Sequence, residues 1–397
     1  MRIGIDARLV HYRGAGISQY IIQLLKALSR CTASGTGSAS GTGTPGSRAT
    51  KGSAGTVHSG GDAPDQFIVL QSVRHREPIV RRPSFVTRRL LTPIHHRLEQ
   101  LTLPLEILNK KLDVLHSPDF IPPFHCKCRS VITVHDLAFM LYPHFLTKAS
   151  ARYYGQIDQA VRHADAIIAV SHATKRDVMR LLGVDDRKIT VVYEAANPFF
   201  GPMDRQEAAQ RVSGRFGVAG EFLLFVSTIE PRKNVPNLLR AFRRLLDDYG
   251  QDVRLVVVGE KGWLFDEAFE LVTELRLGEE VIFLGRVDTE ELLWLYNSAQ
   301  ALVQPSIYEG FGLMPLEAMA CGTPVVVSNV SSMPEVAADA ALTVDPHDVD
   351  ELAVAMWRIL DDTELRASLI DKGVKRAACF SWDKTASETL DLYHSLI

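Results

Sequence analysis

The stretch ALVQPSIYEGFGLMPLEAMACGTPVVV, Ala301 to Val327, decides the fold. It opens on one short apolar run, Ala301–Gln304, and closes on another, Pro324–Val327. Between them lie a glycine-bearing loop and an apolar helical segment that the sequence starts near Pro315, where a missing N–H is harmless in a first turn. Two buried strands joined through a helix are parallel neighbours. Parallel sheets are covered by helices on both faces, so their strands read as continuous apolar runs.

The same alternation extends in both directions. Runs at Phe222–Ser227, Arg254–Gly259, Val281–Leu284 and Ala341–Val344 complete one series with the two above. An earlier series comprises Arg2–Asp6, Phe67–Gln71, Asp113–His116, Val131–Val134, Ala166–Val170 and Thr190–Tyr193. Helical patterns separate most of these runs. Two series predict an α/β protein with two doubly wound, Rossmann-like parallel-sheet domains. The segment Glu194–Gly201 is the expected linker, giving domains over 1–198 and 199–379. Ligands of such sheets bind at the carboxyl ends of strands, so the expected site is a cleft that the two domains face across.

Composition bounds the function. With 44 Lys+Arg against 47 Asp+Glu, the 397-residue chain has a formal net charge of -3, which argues against nucleic acid as a partner. No apolar run reaches membrane-spanning length, and MRIGIDARLV carries no signal-type apolar core. The 5 cysteines suggest no disulfide scaffold, so a cytoplasmic protein is expected. Residues 31–66 are mostly Gly, Ser, Thr and Ala; such a segment buries too little surface to offset its ordering entropy and is expected to be a disordered insertion within the first domain.

Three motifs carry candidate chemistry. Arg13-Gly14-Ala15-Gly16-Ile17-Ser18-Gln19 follows the first strand and opens a helix, where Gly14 and Gly16 could bring backbone N–H groups to a phosphate. Gln19 replaces the third glycine of a dinucleotide fingerprint, and no acid ends the second strand, so NAD is disfavoured. Ser227-Thr228-Ile229-Glu230-Pro231-Arg232-Lys233-Asn234 places adjacent cations after a strand; Arg232 and Lys233 suit a diphosphate, although a solvated charged turn would read the same. In the opening stretch Glu309 sits in the glycine loop and Glu317 on the following helix, with Gly310 and Gly312 leaving backbone donors open. Two carboxylates could accept hydrogen bonds from the hydroxyls of a sugar and a ribose.

Taken whole, YEGFGLMPLEAMACGTPVV resembles the Glu-x7-Glu signature of the family 4 retaining glycosyltransferases of the GT-B fold. STIEPRKN resembles that family's phosphate-binding segment, DARLVHYRGAGISQY its N-terminal glycine loop, and SNVSSMPEVAADAALTVDPHD its mannose-transferring members. The resemblance spans nearly the whole chain outside residues 31 to about 110, with Ser227 standing where a glycine is common. It implies transfer of a hexose from a nucleotide sugar, with retention, to a glycan or lipid-linked acceptor, and no metal or other cofactor. GDP-mannose is the favoured donor and a UDP-sugar the second. Glu309 would contact donor-sugar hydroxyls, with the backbone of Gly310, Phe311, Gly312 and Leu313 around sugar and phosphate. Glu317 would hold the ribose, Arg232 and Lys233 the diphosphate, Gly14 and Gly16 the phosphate or acceptor. His135, after the strand Val131–Val134, would face the reacting centre. Residues 380–397, with Ser381 or Asp383 as a helix cap and Trp382 near the hinge, would cross back to the first domain. A GT-B epimerase and a non-catalytic binding protein are the competing classes; the intact Arg–Lys pair and both Glu argue against them.

Weaker features remain. Arg74–Arg97 holds seven Arg against Glu77, with Leu90, Leu91, Ile94 and Leu98 at helical spacing. This pattern fits a basic amphipathic segment on the inner face of an anionic membrane or a solvated face packed by its leucines. His125-Cys126-Lys127-Cys128 has zinc-ligand types without a second pair. Asp119 and Asp136 could be cleft groups or caps, and Cys321 and Cys379 are expected in the core.

Overall fold

The computed structural model describes residues 1–11, 16–34, 64–96, 98–143, 153–262 and 266–397. Gly14, residues 35–63 of the expected insertion and Arg97 therefore lie outside the described residues.

Two parallel sheets form as the apolar runs require. The first comprises β1 (Arg2–Asp6), β2 (Gln66–Ser72), β3 (Phe85–Leu90), β4 (Val114–Ser117), β5 (Arg129–Val134), β6 (Ala166–Ala169) and β7 (Ile189–Val191). The second comprises β8 (Phe222–Val226), β9 (Arg254–Val258), β10 (Val281–Gly285), β11 (Ala301–Gln304), β12 (Val325–Ser328) and β13 (Leu342–Val344). Their orders are β3-β2-β1-β4-β5-β6-β7 and β10-β9-β8-β11-β12-β13. Each order reverses once, between β1 and β4 and between β8 and β11. Such switch points open a crevice at the strands' carboxyl ends. Every residue of β8 and β11 is buried, as two covered faces demand.

By packing, the chain divides into two compact units. Met1–Pro118, Pro122–Val131 and Ala386–Ile397 form one; Asp119–Ile121 and Ile132–Thr385 form the other. Within the first, Tyr393 on the last helix, Trp382–His394, meets Nδ1 of His116 through its hydroxyl at 2.6 Å. Within the second, that helix's Trp382 donates its indole N–H to the Ala196 carbonyl at 3.1 Å, and the Ser381 hydroxyl accepts from Lys384 N–H as its cap.

Several expectations are corrected. Residues 74–96 hold no helix: Phe85–Leu90 is β3, paired in parallel with β2. As the edge strand of its sheet it tolerates Arg88 and Arg89, which hid its strand character. Residues 31–34 belong not to a loop but to the helix Gly16–Ser34. The helix after the glycine loop starts at Leu313, which leaves Pro315 in its first turn as expected. Cys379 is exposed, whereas Cys321 is buried as expected. Cys126 and Cys128 are joined as a disulfide and so offer no thiolate pair to zinc.

Candidate active site

The switch point of the second sheet assembles the candidate site. The chain leaves β8, turns through Pro231–Lys233 and enters the helix Val235–Tyr249. Asn234 joins the two in the left-handed region at φ +62°, which Asn tolerates because its short amide bonds locally. That amide donates to the carbonyls of Pro305, at 3.0 Å, and Pro346, at 2.6 Å. Ile307 N–H donates to the Arg232 carbonyl at 2.8 Å. The loops after β8 and β11, far apart in sequence, are thereby fastened together.

Their charges meet at Glu309. Its Oε1 lies 2.5 Å from Lys233 Nζ and its Oε2 3.2 Å from an Arg232 guanidinium nitrogen. Ser306 adds a hydroxyl donor at 2.8 Å. Arg232 also bonds the buried Glu230 carboxylate and stands 3.9 Å from Asp136. Burial pushes the Glu309 carboxyl up, but Lys233 and Arg232 more than reverse this and hold it at about 2. Burial, with Arg232 alongside, brings Lys233 below the ordinary lysine value. Burial would also lower Arg232, yet Glu309, Asp136 and Glu230 outweigh it and hold this group above the ordinary arginine value. The three groups form an ionised carboxylate under two cations.

The glycine loop is held by hydroxyls and close packing. Ser331 accepts from Glu309 N–H at 3.0 Å, and Ser332 donates to the carbonyls of Glu309 and Phe311 at 2.9 and 2.5 Å. Ser171 and Thr174 donate to the Gly310 carbonyl at 2.6 and 3.1 Å. A Cβ at position 310 would overlap the His135 carbonyl, so only glycine fits there. Gly312 adopts φ +127° before the helix Leu313–Ala320. The Phe311 side chain is buried beside Tyr193 and Phe380, which leaves only its backbone to face a ligand. His135 Nδ1 lies 2.9 Å from Glu194; the carboxylate only accepts, so this nitrogen carries the proton.

The structure thus brings Arg232, Lys233, Glu309, Gly310 and His135 together; Asp136, expected as a cleft group or a cap, stands beside Arg232 and also accepts from Ala138 N–H. Glu317 stands apart. It accepts from the Tyr296 hydroxyl at 3.2 Å and from Asn197 N–H in the linker, and burial pushes its carboxyl up to about 8. Gly16 opens its helix in the other compact unit, with open space where a side chain would begin. Asp119 accepts from the Tyr153 hydroxyl at 2.6 Å. Sequence reasoning missed Gln304, Ser306, Ser331, Ser332, Glu194 and Glu230. Ser331 and Ser332 lay inside a quoted motif, but small hydroxyls carry no signal until the register aligns them with the loop. Among the described residues, no group of three or more His, Cys, Asp or Glu side chains is placed to hold a metal ion.

Residues 206–376 match the family described as glycosyl transferases group 1, and residues 56–198 match glycosyltransferase family 4. The O-antigen chain mannosyltransferase B of Escherichia coli is 33% identical over 285 residues, covering 71% of this chain and 74% of that protein. The chain belongs to the group 1 glycosyltransferases. A second relative of this glycosyltransferase, the O-antigen chain mannosyltransferase RfbU of Salmonella typhimurium, is 32% identical over 218 residues, 55% of this chain and 57% of that one. Its fold is GT-B. Sucrose-phosphate synthase from Thermosynechococcus elongatus superposes with a TM-score of 0.75 at 21% identity, covering 100% of this chain and 99% of that one. Anabaena Alr3699/HepE, solved with UDP and glucose, gives 0.73 at 17% identity over 100% of both chains. The group 1 match contains β8 to β12 entire, so the Arg232–Lys233–Glu309 cluster falls wholly inside it.

Proposed function

We propose that this glycosyltransferase moves a hexose, mannose before glucose, from a nucleoside-diphosphate sugar to a hydroxyl of a glycan or lipid-linked acceptor, with retention at the anomeric carbon. The observation that carries this reading is the meeting of Arg232, Lys233 and Glu309 at the ends of β8 and β11. In such a reaction the bond from anomeric carbon to phosphate oxygen breaks, and its electron pair stays on the phosphate. Two fixed cations in a water-poor crevice stabilise that developing charge. The acceptor hydroxyl oxygen bonds the anomeric carbon on the face the phosphate leaves, and its proton passes to the departing phosphate oxygen.

Glu309, ionised and acceptor-only, is suited to donor-sugar hydroxyls. On donor arrival Lys233 and Arg232 divide their hydrogen bonds between this carboxylate and the diphosphate. The backbone of Gly310–Leu313 flanks the sugar. His135, oriented by Glu194 and with its carbonyl against Gly310, is assigned to the reacting centre. Gly14 and Gly16 are assigned to the phosphate or acceptor. A ribose contact at Glu317 has to replace Tyr296 and the Asn197 N–H. The nucleotide sugar is assigned to residues 199–379 and the acceptor to residues 1–198.

Mannose is favoured by the relatives' names and GDP by the sequence resemblance alone; a UDP-sugar comes second, since Anabaena Alr3699/HepE was solved with UDP-glucose. A thermal-shift panel of nucleotide sugars tests the donor. Ligand at 100 times its dissociation constant stabilises the native state by about 2.7 kcal/mol. A shift with GDP-mannose is expected; a shift with UDP-glucose alone would replace it, and none with any donor would overturn the reading. The anomeric configuration of the product, read by NMR, tests retention.

A further inference from the structure

We infer that the helix Glu99–Ile107, with the β3 edge beside it, is a docking surface for an anionic phospholipid bilayer. The helix is apolar on two opposite faces. Glu99, Leu103 and Ile107 are buried, and the two aliphatic ones pack with Ile68, Leu70, Leu90 and Leu115. Leu98, Leu101, Leu105 and Leu108 recur at the same helical spacing on the opposite side, and nothing among the described residues covers them. Leu101 is 64% exposed, Leu105 71%, and Leu91, at the end of β3, 75%. An isolated exposed leucine is ordinary in a folded protein; a stripe of four with a fifth beside it marks an interaction surface.

Leu91 is bound to the same helix. The Glu106 carboxylate accepts from Leu91 N–H at 2.9 Å and from the Thr92 N–H and hydroxyl at 2.9 and 2.8 Å. Glu99 is likewise turned inward, onto Arg8 and His95 N–H. Both acids of the helix are therefore engaged by donors of the fold, Glu99 buried and Glu106 half-buried.

The surrounding charge selects the occupant. Residues 74–111 hold nine Lys or Arg and three Glu, a balance of 9 − 3 = +6 in a chain whose total is -3. Arg88 and Arg89 are exposed on β3; Arg88 shares the strand face of Val86 and Leu90, both packed in the cluster beneath the helix, and Arg89 stands on the other face. Lys111 is exposed just beyond the leucine stripe. Leucines that enter the acyl boundary, set in a basic stretch with Arg88 and Lys111 exposed beside them, match an anionic bilayer in both apolar character and charge.

Co-sedimentation of the full chain with vesicles tests this. Binding is expected to vesicles of equal parts phosphatidylcholine and phosphatidylglycerol, not to phosphatidylcholine alone, and to weaken in high salt. The double variant L101S/L105S is expected to lose about tenfold or more in vesicle affinity while its unfolding temperature and donor hydrolysis stay as in the parent. R88Q/R89Q is expected to weaken binding and its salt dependence together. In a separate variant, Leu105→Trp, indole emission should shift to the blue on adding the mixed vesicles. No sedimentation with the mixed vesicles, or sedimentation that neither double variant weakens, would overturn the proposal. So would a dimer in light scattering that L101S/L105S splits, because a second copy would then be the occupant.

Discussion

Two buried clusters among the described residues each pair cations with carboxylates, and they do different things. In the first unit the Arg8 side chain is 1% exposed; it donates to Asp6 at 2.9 and 2.6 Å, to Glu99 at 2.6 Å and to the Thr92 carbonyl at 3.0 Å. Burial opposes its charge, but the two carboxylates hold it above the ordinary arginine value. In the second unit Arg232 and Lys233 share Glu309 at the ends of adjacent strands, beside a loop whose glycine has no room for a side chain. The charges and burial are alike, so neither property identifies the functional cluster. Placement does. Arg8 ties β1 to a helix and a loop, with each bond closing a local gap. Arg232 and Lys233 stand on loops at a switch point, where bonds can be exchanged for those of a ligand.

Breaking the first cluster should cost the most. Arg8→Met leaves Asp6 and Glu99 buried without their cation, and a loss of about 3–5 kcal/mol in denaturant unfolding is expected. Turnover per folded molecule should be unchanged. The reverse holds for Glu309→Ala and Lys233→Ala. Each should lower transfer by about 2.7–4 kcal/mol of transition-state energy, with far less effect on unfolding than Arg8→Met. Steady-state rates and melting curves of the three proteins decide it. If Lys233→Ala unfolds as readily as Arg8→Met and still transfers sugar, the distinction between the clusters collapses.

Glu317 sharpens the comparison through pH. Its folded-state pKa, raised by burial from 4.5 to about 8, makes its contribution fully present below 4.5 and lost as pH rises towards 8. The loss over that window is on the order of 5 kcal/mol. Glu309 runs the other way: lowered to about 2, it contributes above 4.5 and loses that contribution as pH falls towards 2. Unfolding measured between pH 5 and 8 therefore reports Glu317, and Glu317→Gln should flatten that profile. An unchanged slope would show that Glu317 is ionised in the folded protein. The smallest effect expected is that of Ser332→Ala, which removes donors to the Glu309 and Phe311 carbonyls. A loss of about 1 kcal/mol in stability is expected, together with a raised donor KM.

Much of the fold is legible in the chain alone. The apolar runs name the strands of both sheets except β3, whose arginines suit an edge strand but defeat a reading by periodicity. The site's charged members, Arg232, Lys233 and Glu309, stand out because adjacent cations and a carboxylate among glycines are uncommon on a bland surface. Their hydroxyl supports do not, since serine is ordinary everywhere and Ser331 and Ser332 matter only where the fold sets them beside the glycine loop.

The sequence by itself determined the two parallel sheets, the loops that carry charge and the family. Burial pattern and local chain chemistry are written residue by residue, so these follow from short windows. Only the tertiary structure decided which charges meet. Glu317, eight residues from Glu309, turns to Tyr296 and Asn197, while Lys233, 76 residues away, lies against it. It also decided that Glu99 and Glu106 bond to the rest of the fold while Leu101 and Leu105 of one short helix, with Leu98 and Leu108 at its two ends, face out. Strand order and helix rotation fix such pairings, and neither is set by the residues next in the chain.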